Sequence, residues 1–271
     1  MELKMIKADP SGNQTIFVLD PVPQAQRAKV NAALLALDPK AEQAGCLQLS
    51  DHTAQLEMMG GEFCGNATRS AGAYALRKLE EKQGIFSVSC SGCPHPLTVT
   101  AKKVRNNVYE ANVRLDAPLT MEKFNLSYER ESITCDKVVL PGIEHYVYFT
   151  LNLDAIDKKQ LFHSLQQELS RYPQVPAYGL MLVETGTFRM IPAVYVTATG
   201  TLYWENSCGS GSAAVAAALA KQQGRSIATT LLEPGGKINI EAVYKDGAVQ
   251  EITIGGPVKF EEEKTVALQI S

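Results

Sequence analysis

Two short segments, residues 63–70 and 206–212, carry the side chains with the most chemistry in this sequence. Each places a cysteine, Cys64 or Cys208, directly before a glycine at the start of an alanine-rich stretch that is typical of a helix. The N-terminus of a helix has a positive potential and unpaired N–H groups, which together favour a thiolate and bind anions. The pair of segments therefore predicts two reactive thiols beside one carboxylate-binding site.

The carboxylate donors that we predict are the first backbone N–H groups of the two helices, since these have no partner within a helix. They belong to Gly65, Asn66, Gly209 and Ser210. A free cysteine is otherwise commonly a small buried hydrophobic residue, and a single Cys-Gly pair would favour that structural interpretation. Two pairs in matching contexts favour the chemical one.

Composition and charge limit the partners of the protein. The chain has 271 residues, of which 45% are hydrophobic, enough for a large core in one or two domains. The net charge is −3 and the basic residues are scattered, so we expect neither nucleic acid nor a membrane surface as a partner. Residues 1–4 carry charge where a signal peptide is apolar, and no apolar run of about 18 residues exists. We expect a soluble, cytoplasmic protein.

The six cysteines are expected to be reduced. Cys90 and Cys93 form a CxxC pair with His95 close behind, a spacing that occurs in metal sites. No second pair follows, and the four histidines are dispersed along the chain. We favour ordinary thiols over this alternative, and we expect no metal.

The order of predicted elements repeats between the two halves of the chain. Each half runs through a strand, a helix, further strands, a Cys-Gly pair at a helix start and a strand meander, and the two cysteines are 144 positions apart. This pattern indicates a divergent internal duplication. The helices are predicted at 24–37, 67–81, 161–171 and 212–223, after an N-terminal hairpin in 1–20.

The sequence resembles the diaminopimelate epimerase fold family over nearly its full length. The matching segments, in order, are Ser11-Gly12-Asn13, Cys64-Gly65-Asn66, Cys208-Gly209-Ser210-Gly211 and Pro234-Gly235-Gly236. This resemblance implies a racemase or epimerase that needs no cofactor.

The fold expected with this resemblance is α+β. It has two pseudo-symmetric lobes, each a sheet or barrel wrapped around a central helix, and an active site in the cleft between them. The lobes are predicted as 1–117, joined by a C-terminal strand at 264–271, and 118–263.

Two departures from the epimerase pattern narrow the resemblance. Ala67-Thr68 stands where the epimerases have Gly-Ala, and segments 197–201 and 204–207 lack the Glu-Arg pair that binds the far end of their substrate. The segments 9–13, 42–43, 61–68 and 204–211 are similar to the histidine racemases of opine-type metallophore biosynthesis. That resemblance implies conversion of L-histidine to D-histidine.

The expected mechanism uses the two sulfurs as a pair. One cysteine, as thiolate, removes the α-proton, and the other, as thiol, returns a proton to the opposite face, so that the two titrate as a coupled pair. Around them we predict that Asn13 contacts substrate, while Glu42 and Glu205 bind an ammonium or imidazole N–H or set thiol protonation. His145 falls where the epimerases have an Asn-Pro-His turn, and we predict that it is a base for a cysteine. The alternative for Asn13 is a turn residue, and for Glu42 and Glu205 it is a solvated loop carboxylate. For His145 it is a capping or strand-edge histidine.

Two other functions stay open at this point. The first is diaminopimelate epimerase or another amino-acid racemase of the same fold, with the same chemistry and a different pocket. The second, from another class, is a non-catalytic binding protein or a thiol redox protein. The partners we expect are a small amino-acid substrate and, at most, a second copy of the chain in a homodimer.

Overall fold

The computed structural model describes residues 1–197 and 200–269. The chain forms two compact units, Met1–Leu115 with Ile254–Ser271, and Asp116–Thr253. Helices and strands occur in both units, which confirms the α+β class. The lobe boundaries predicted above stay a prediction. Two parts of the segments predicted above lie outside the described residues. They are Ala198 and Thr199, in the segment 197–201 that differs from the epimerases, and residues 270–271 of the predicted C-terminal strand.

The elements follow one another in chain order with short connections. The strands are β1 (Glu2–Asp9), β2 (Thr15–Val18), β3 (Gln43–Ser50), β4 (Thr53–Met58), β5 (Gln83–Cys90), β6 (Leu97–Arg105), β7 (Val108–Asp116), β8 (Thr120–Tyr128), β9 (Glu131–Leu140), β10 (Ile143–Thr150), β11 (Ala177–Glu184), β12 (Met190–Val196), β13 (Thr201–Trp204), β14 (Ile227–Glu233), β15 (Gly236–Lys245), β16 (Ala248–Phe260) and β17 (Lys264–Ala267). The helices are α1 (Arg27–Leu37), α2 (Gly65–Leu79), α3 (Lys158–Leu169) and α4 (Gly209–Gln223), with 3₁₀ turns at Gln24–Gln26 and Leu153–Ala155.

The first unit contains a closed eight-stranded β-barrel. Its strands follow the hydrogen-bonded order β1-β2-β3-β4-β5-β6-β7-β16, and β16 pairs back onto β1, with Ala8 opposite Phe260 and Asp9 opposite Lys259. Closure leaves no open sheet edge in the ring. Strand β17 adds to β1 beside this seam, where Leu3 lies opposite Val266.

Two helices of the first unit connect parallel neighbours, as such crossovers require. Helix α1 joins β2 to β3, and α2 joins β4 to β5. Helix α2 packs on β4, β5 and β6, and every residue from Gly65 to Leu76 is buried. The dense small side chains of this helix, which predicted it from sequence, allow that burial.

Arg69 of α2 fixes the helix to the closing strand. Its side chain is fully buried, and the guanidinium donates to the Gly256 carbonyl at 2.9 Å and to Asn66 Oδ1 at 3.1 Å. A buried guanidinium needs such acceptors, because an unpaired buried charge is costly. The contact therefore holds the first turn of α2, which begins at Gly65, against β16.

The second unit is built on a six-stranded sheet of order β13-β12-β11-β10-β9-β8. Strands β10 and β11 are parallel, with α3 in their connection, and the aromatic core on that side includes Phe162 stacked on Tyr178. Helix α4 packs on β9, β10 and the β14–β15 hairpin. Its residues from Ala213 to Ala220 are buried.

The element predictions are mostly confirmed. The N-terminal hairpin is β1–β2, and each predicted helix is present, although α2 and α4 begin two or three residues earlier, at the glycine after the cysteine. The run 231–240 forms parts of two strands joined by Pro234-Gly235, and β8 was not predicted. In the part of the chain that the structure describes, no helix is long and apolar enough to cross a bilayer.

Candidate active site

Each of the two predicted cysteines is the N-cap of its helix. Cys64 has extended backbone angles, φ −134° and ψ 108°, and its sulfur accepts the Ala67 N–H at 3.3 Å. Cys208 has φ −122° and ψ 104°, and its sulfur accepts the Gly211 N–H, also at 3.3 Å. The local geometry is therefore the same in both units, with sulfur in the place where a serine or aspartate oxygen usually caps a helix.

Polar side chains from the start of the chain surround Cys64. The amide of Gln43 donates to Cys64 Sγ at 3.0 Å and lies 2.8 Å from Asn13 Oδ1. The Asn13 amide in turn donates to Glu42 Oε2 at 2.6 Å, and Asn13 Oδ1 is 3.8 Å from the sulfur. The structure thus brings Cys64, Asn13 and Glu42 together, and it adds Gln43.

The β1–β2 turn and the start of β3 place this group. Asp9 Oδ1 accepts the Gly12 N–H at 2.7 Å, which holds the turn that presents Asn13. Thr15, next to that turn, pairs with Gln43 in the parallel β2–β3 register. The positions of Asn13 and Gln43 are therefore set by the β1–β2 turn and by the hydrogen bonds between β2 and β3.

The pKa of Cys64 differs in direction from the sequence-based expectation. Burial raises the pKa of the Cys64 thiol to about 12, while the N–H groups of Ala67 and Gln43 act in the opposite direction. The helix N-terminus does favour the thiolate, as predicted, but loss of hydration outweighs it. Cys64 in the free protein is a thiol that a bound cation could help to ionise.

Cys208 lies among carboxylates. Its backbone N–H donates to Glu233 Oε2 at 2.7 Å, and the Ser212 hydroxyl donates to Glu233 Oε1 at 2.5 Å. Burial raises the pKa of Cys208 well above its ordinary value, and the charges of Glu205 and Glu233 raise it further. Burial also raises the pKa of Glu233 to about 7. The predicted neighbour Glu205 is thus beside Cys208, together with a second carboxylate.

His145 lies on β10 and reaches Cys208 through Ser210. Its Nε2 is 2.9 Å from Ser210 Oγ, which is 3.7 Å from Cys208 Sγ. Burial lowers the pKa of His145 to about 3, so the ring is neutral. Its Nδ1 faces Gly179, where a Cβ would lie 2.5 Å away, and has no hydrogen-bond partner among the described residues. The tautomer of the ring decides which of Nε2 and the Ser210 hydroxyl donates in this hydrogen bond.

Backbone donors stand at the start of both helices. Gly65 and Asn66 are the first residues of α2, and Gly209 and Ser210 are the first of α4. Gly211 must stay without a side chain, since a Cβ there would lie 3.0 Å from Cys208 Sγ and overlap the Met181 sulfur. Each unit can thus offer a helix N-terminus beside a thiol, which suits a carboxylate.

Three polar residues of these clusters had no predicted role. Gln43 was within a matched segment and Glu233 directly preceded one, but their contacts depend on strand pairing and on the β14–β15 turn. Ser212 was assigned only to the helix. One local signal did point to Glu233. It alternates with Leu231 across exposed Leu232, so it occupies a buried position of a strand.

Comparison with known proteins decides the family. The model of the histidine racemase CntK N-terminal domain matches residues 2–266. The chain belongs to this family. A histidine racemase from Fusobacterium nucleatum subsp. nucleatum (strain ATCC 25586) is 30% identical over 268 residues, which cover 93% of this chain and 95% of that protein. Membership confirms the resemblance to histidine racemases that the motifs indicated.

Solved structures share the fold at low identity. A Bacillus anthracis phenazine biosynthesis protein of the PhzF family matches with a TM-score of 0.68 at 15% identity, covering 99% of each chain. A probable proline racemase from Agrobacterium radiobacter K84 matches with a TM-score of 0.66 at 12% identity, covering all of this chain and 93% of that one. With its family membership, this makes the protein an amino-acid racemase, which is an isomerase.

Proposed function

We propose that this protein interconverts L- and D-histidine by a two-base mechanism with Cys64 and Cys208. The observation that carries the proposal is that both cysteines cap the N-termini of buried helices with nearly the same geometry. Family membership supports histidine as the substrate. The mechanism requires both sulfurs to reach opposite faces of one α-carbon, and we propose pseudo-symmetric lobes as the means.

The helix N-termini serve the difficult step, removal of a weakly acidic α-proton. As the proton leaves, negative charge develops on the substrate carboxylate. The N–H groups of Gly65, Asn66, Gly209 and Ser210 are the proposed donors to that carboxylate, and loss of one such donor in comparable sites costs about 2.7–4 kcal/mol. The cysteine on one face takes the proton, and the cysteine on the other face returns one.

The substrate itself is proposed to ionise the base. A raised thiol pKa opposes ionisation in the free protein, and the α-ammonium of the bound amino acid offsets this because an adjacent cation favours a thiolate. Glu42, held by Asn13, and Glu205, beside Cys208, are the proposed partners of that ammonium or of the imidazole N–H. A neutral His145 acts through the Ser210 hydroxyl and not by direct contact with the sulfur.

The setting of the reaction follows the same resemblance. We propose a cytoplasmic enzyme that needs neither metal nor organic cofactor, acts alone or as a homodimer, and supplies D-histidine for an opine-type metallophore. Among the described residues, no cluster of three or more metal-ligating side chains is present.

A substrate panel tests this proposal. The purified protein is incubated with each of L-histidine, diaminopimelate and L-proline, and the enantiomers are separated by chiral chromatography. We expect turnover of histidine, together with exchange of its α-proton in D₂O. Cys64→Ser and Cys208→Ser are expected to reduce racemisation by about 10²-fold or more, because each removes one acid–base group.

The outcomes separate the alternatives. Turnover of diaminopimelate without histidine would replace the substrate and keep the chemistry. Absence of α-proton exchange with every amino acid would end the racemase mechanism, and near-wild-type rates in either serine variant would end the two-base assignment. Cys135→Ser is a matched control, since Cys135 is a buried thiol in the core of the second unit.

A further inference from the structure

Glu233 holds the backbone on which the Cys208 sulfur depends. The side chain is buried, and its two oxygens accept from the Cys208 N–H at 2.7 Å and the Ser212 hydroxyl at 2.5 Å. The Ser212 hydroxyl also lies 2.7 Å from the Cys208 carbonyl oxygen. Glu233 therefore binds the cap residue directly through the Cys208 N–H, and it also binds Ser212, which lies against the Cys208 carbonyl.

The β14–β15 hairpin brings this carboxylate to α4. Glu233 is the last residue of β14 and pairs with Gly236 across the turn. The turn is tied to the segment before Cys208, because the Gly235 N–H donates to the Asn206 carbonyl at 2.8 Å. The position of Glu233 relative to Cys208 is thus set by backbone hydrogen bonds and not by side-chain packing alone.

The surroundings of the two cysteines differ in charge. The Cys208 thiol has the carboxylates of Glu205 and Glu233 close by, and both oppose its ionisation. The Cys64 sulfur accepts from the Gln43 amide at 3.0 Å and from the Ala67 N–H at 3.3 Å, and both donors favour ionisation. Smaller effects of Cys90 and Glu62 oppose it. Burial is the largest influence and raises the pKa of both thiols, and each sulfur accepts one helix N–H. The two caps therefore differ in the further groups around them, an amide donor at Cys64 and two carboxylates at Cys208.

We propose that Glu233 is a positioning residue that keeps Cys208 as the thiol, so that Cys64 is the cysteine that ionises as the base and Cys208 is the acid. This inference rests on the two-base function proposed above. The groups that face Glu233 are Cys208, Ser212, Ser207 and Glu205. Of these four, Glu205 is the other carboxylate. Glu233 acts on the substrate only through the sulfur of Cys208.

Alkylation kinetics test the proposal without any need for turnover. Iodoacetamide reacts with thiolates, so its rate at each cysteine is followed against pH by peptide mass spectrometry in the wild type and in Glu233→Gln. We expect the alkylation midpoint of Cys208 to fall by about one pH unit or more, the usual effect of removing an adjacent like charge. The midpoint of Cys64 is expected to stay unchanged.

Control variants keep the result interpretable. Glu241→Gln makes the same change at an exposed carboxylate of the same hairpin and should move neither midpoint. Glu233→Asp keeps the charge, so it should keep the high Cys208 midpoint and lose activity only through misplacement. If Glu233→Gln does not fold, Ser212→Ala tests the same carboxylate, because it removes the hydroxyl that donates to Glu233 Oε1. An unmoved Cys208 midpoint in that variant would count against the proposal.

Three results would overturn the proposal. They are an unmoved Cys208 midpoint in Glu233→Gln, an equal fall at Cys64 and Cys208, and a Cys208 midpoint below that of Cys64 in the wild type. Failure of the racemase assignment itself would appear in the substrate panel and would leave the alkylation result unchanged.

Discussion

Cys64 shows how burial and hydrogen bonding compete at a single side chain. The helix N-terminus and the Gln43 amide both favour its thiolate, yet burial raises its pKa to about 12. A buried anion loses its hydration, and two N–H donors do not fully replace it. The thiol form of Cys64 is therefore favoured in the free protein.

Gln43→Glu should make the Cys64 thiol harder to ionise. The change replaces an N–H donor 3.0 Å from the sulfur with a carboxylate, so the thiol pKa should rise further. We expect the acid limb of the kcat/KM profile to move up by about one pH unit or more, with about tenfold lower kcat/KM at neutral pH. The profile is measured with L-histidine between pH 6 and 10.

Gln48→Glu provides the matched comparison for this variant. Gln48 is on the same strand, β3, and is exposed. Its variant should show the wild-type profile. An unshifted acid limb in Gln43→Glu would mean that the contact to the Cys64 sulfur does not influence the base.

At the residue scale, sequence reasoning identified groups that lie in recognisable motifs. Cys64 and Cys208 follow from residue type and position before a helix, and Asn13 and Glu42 follow from resemblance; all of their local contacts fit a site. Glu233, directly before the Pro234-Gly235-Gly236 segment, was given no role, because its contact with the Cys208 N–H exists only after a hairpin folds back on the helix. Pairing between distant strands is not encoded in local spacing.

Helices α2 and α4 pack closely on strands because many of their side chains are small. Residues Ala213 to Ala220 of α4 are buried, with alanine at most positions. Larger side chains would push the strands away, since protein interiors are packed at crystal-like density. The alanine pattern thus serves two purposes, helix formation and close approach, and the second holds the cysteine cap in place.

Ala217→Leu should therefore destabilise the second unit. Ala217 is fully buried, and overpacking of this kind costs about 1–3 kcal/mol. The free energy of unfolding is measured by urea denaturation, with Gln223→Leu as the comparison, because Gln223 is exposed at the end of the same helix. Equal stability of the two variants would show that the environment of α4 is looser than described.

At the element scale, helices were predicted more accurately than strand boundaries. The alanine and leucine spacing gave all four helices, whereas the run 231–240 concealed the β14–β15 turn and β8 was missed. Strand β8 has a mostly exposed face, so its apolar positions are few. Period-two patterns need a buried face to be visible in a sequence.

Glu263 links three parts of the first unit. Its carboxylate accepts from Tyr74 at 2.7 Å and pairs with Lys4 at 2.7 Å and Lys78 at 3.1 Å, so it joins β1, α2 and the segment before β17. The hydrogen bond from Lys4 is the largest influence that lowers the pKa of Glu263, to about 2. The charged carboxylate is therefore favoured in the folded state.

Glu263→Gln should lower stability in a pH-dependent way. The pKa of Glu263 is about 2 in the folded protein, whereas its ordinary value is 4.5. The contribution of its charge to stability is therefore complete above pH 4.5 and is lost as the pH falls toward 2. We expect about 1–2 kcal/mol at pH 7, since the two lysines are half exposed. Urea denaturation at pH 7, 5 and 3.5 measures it.

The comparison for Glu263 is Glu2→Gln, a change at an exposed residue of β1. That variant should match the wild type at each pH. A loss in Glu263→Gln that is constant from pH 7 to pH 3.5 would contradict the role of its charge and would indicate a packing effect.

At the scale of the whole chain, sequence reasoning found the α+β class and the family, and it left open whether a sheet closes into a barrel. The two motif repeats indicated sheets around helices. The ring closes because Ala8 and Asp9 pair with Phe260 and Lys259, residues about 250 positions later. Such a contact depends on the full set of strands and leaves no trace in spacing or composition.

The late position of β16 also determines the order of events during synthesis on the ribosome. Strands β1 to β7 of the barrel are synthesised first. The second unit is then synthesised before the part of β16 that belongs to the first unit, which begins at Ile254. Until then, β1 and β7 are edge strands whose unpaired N–H and C=O groups can pair with strands of other molecules. Translation thus leaves the first unit unfinished for longest, and chaperones that shield exposed edges would act there.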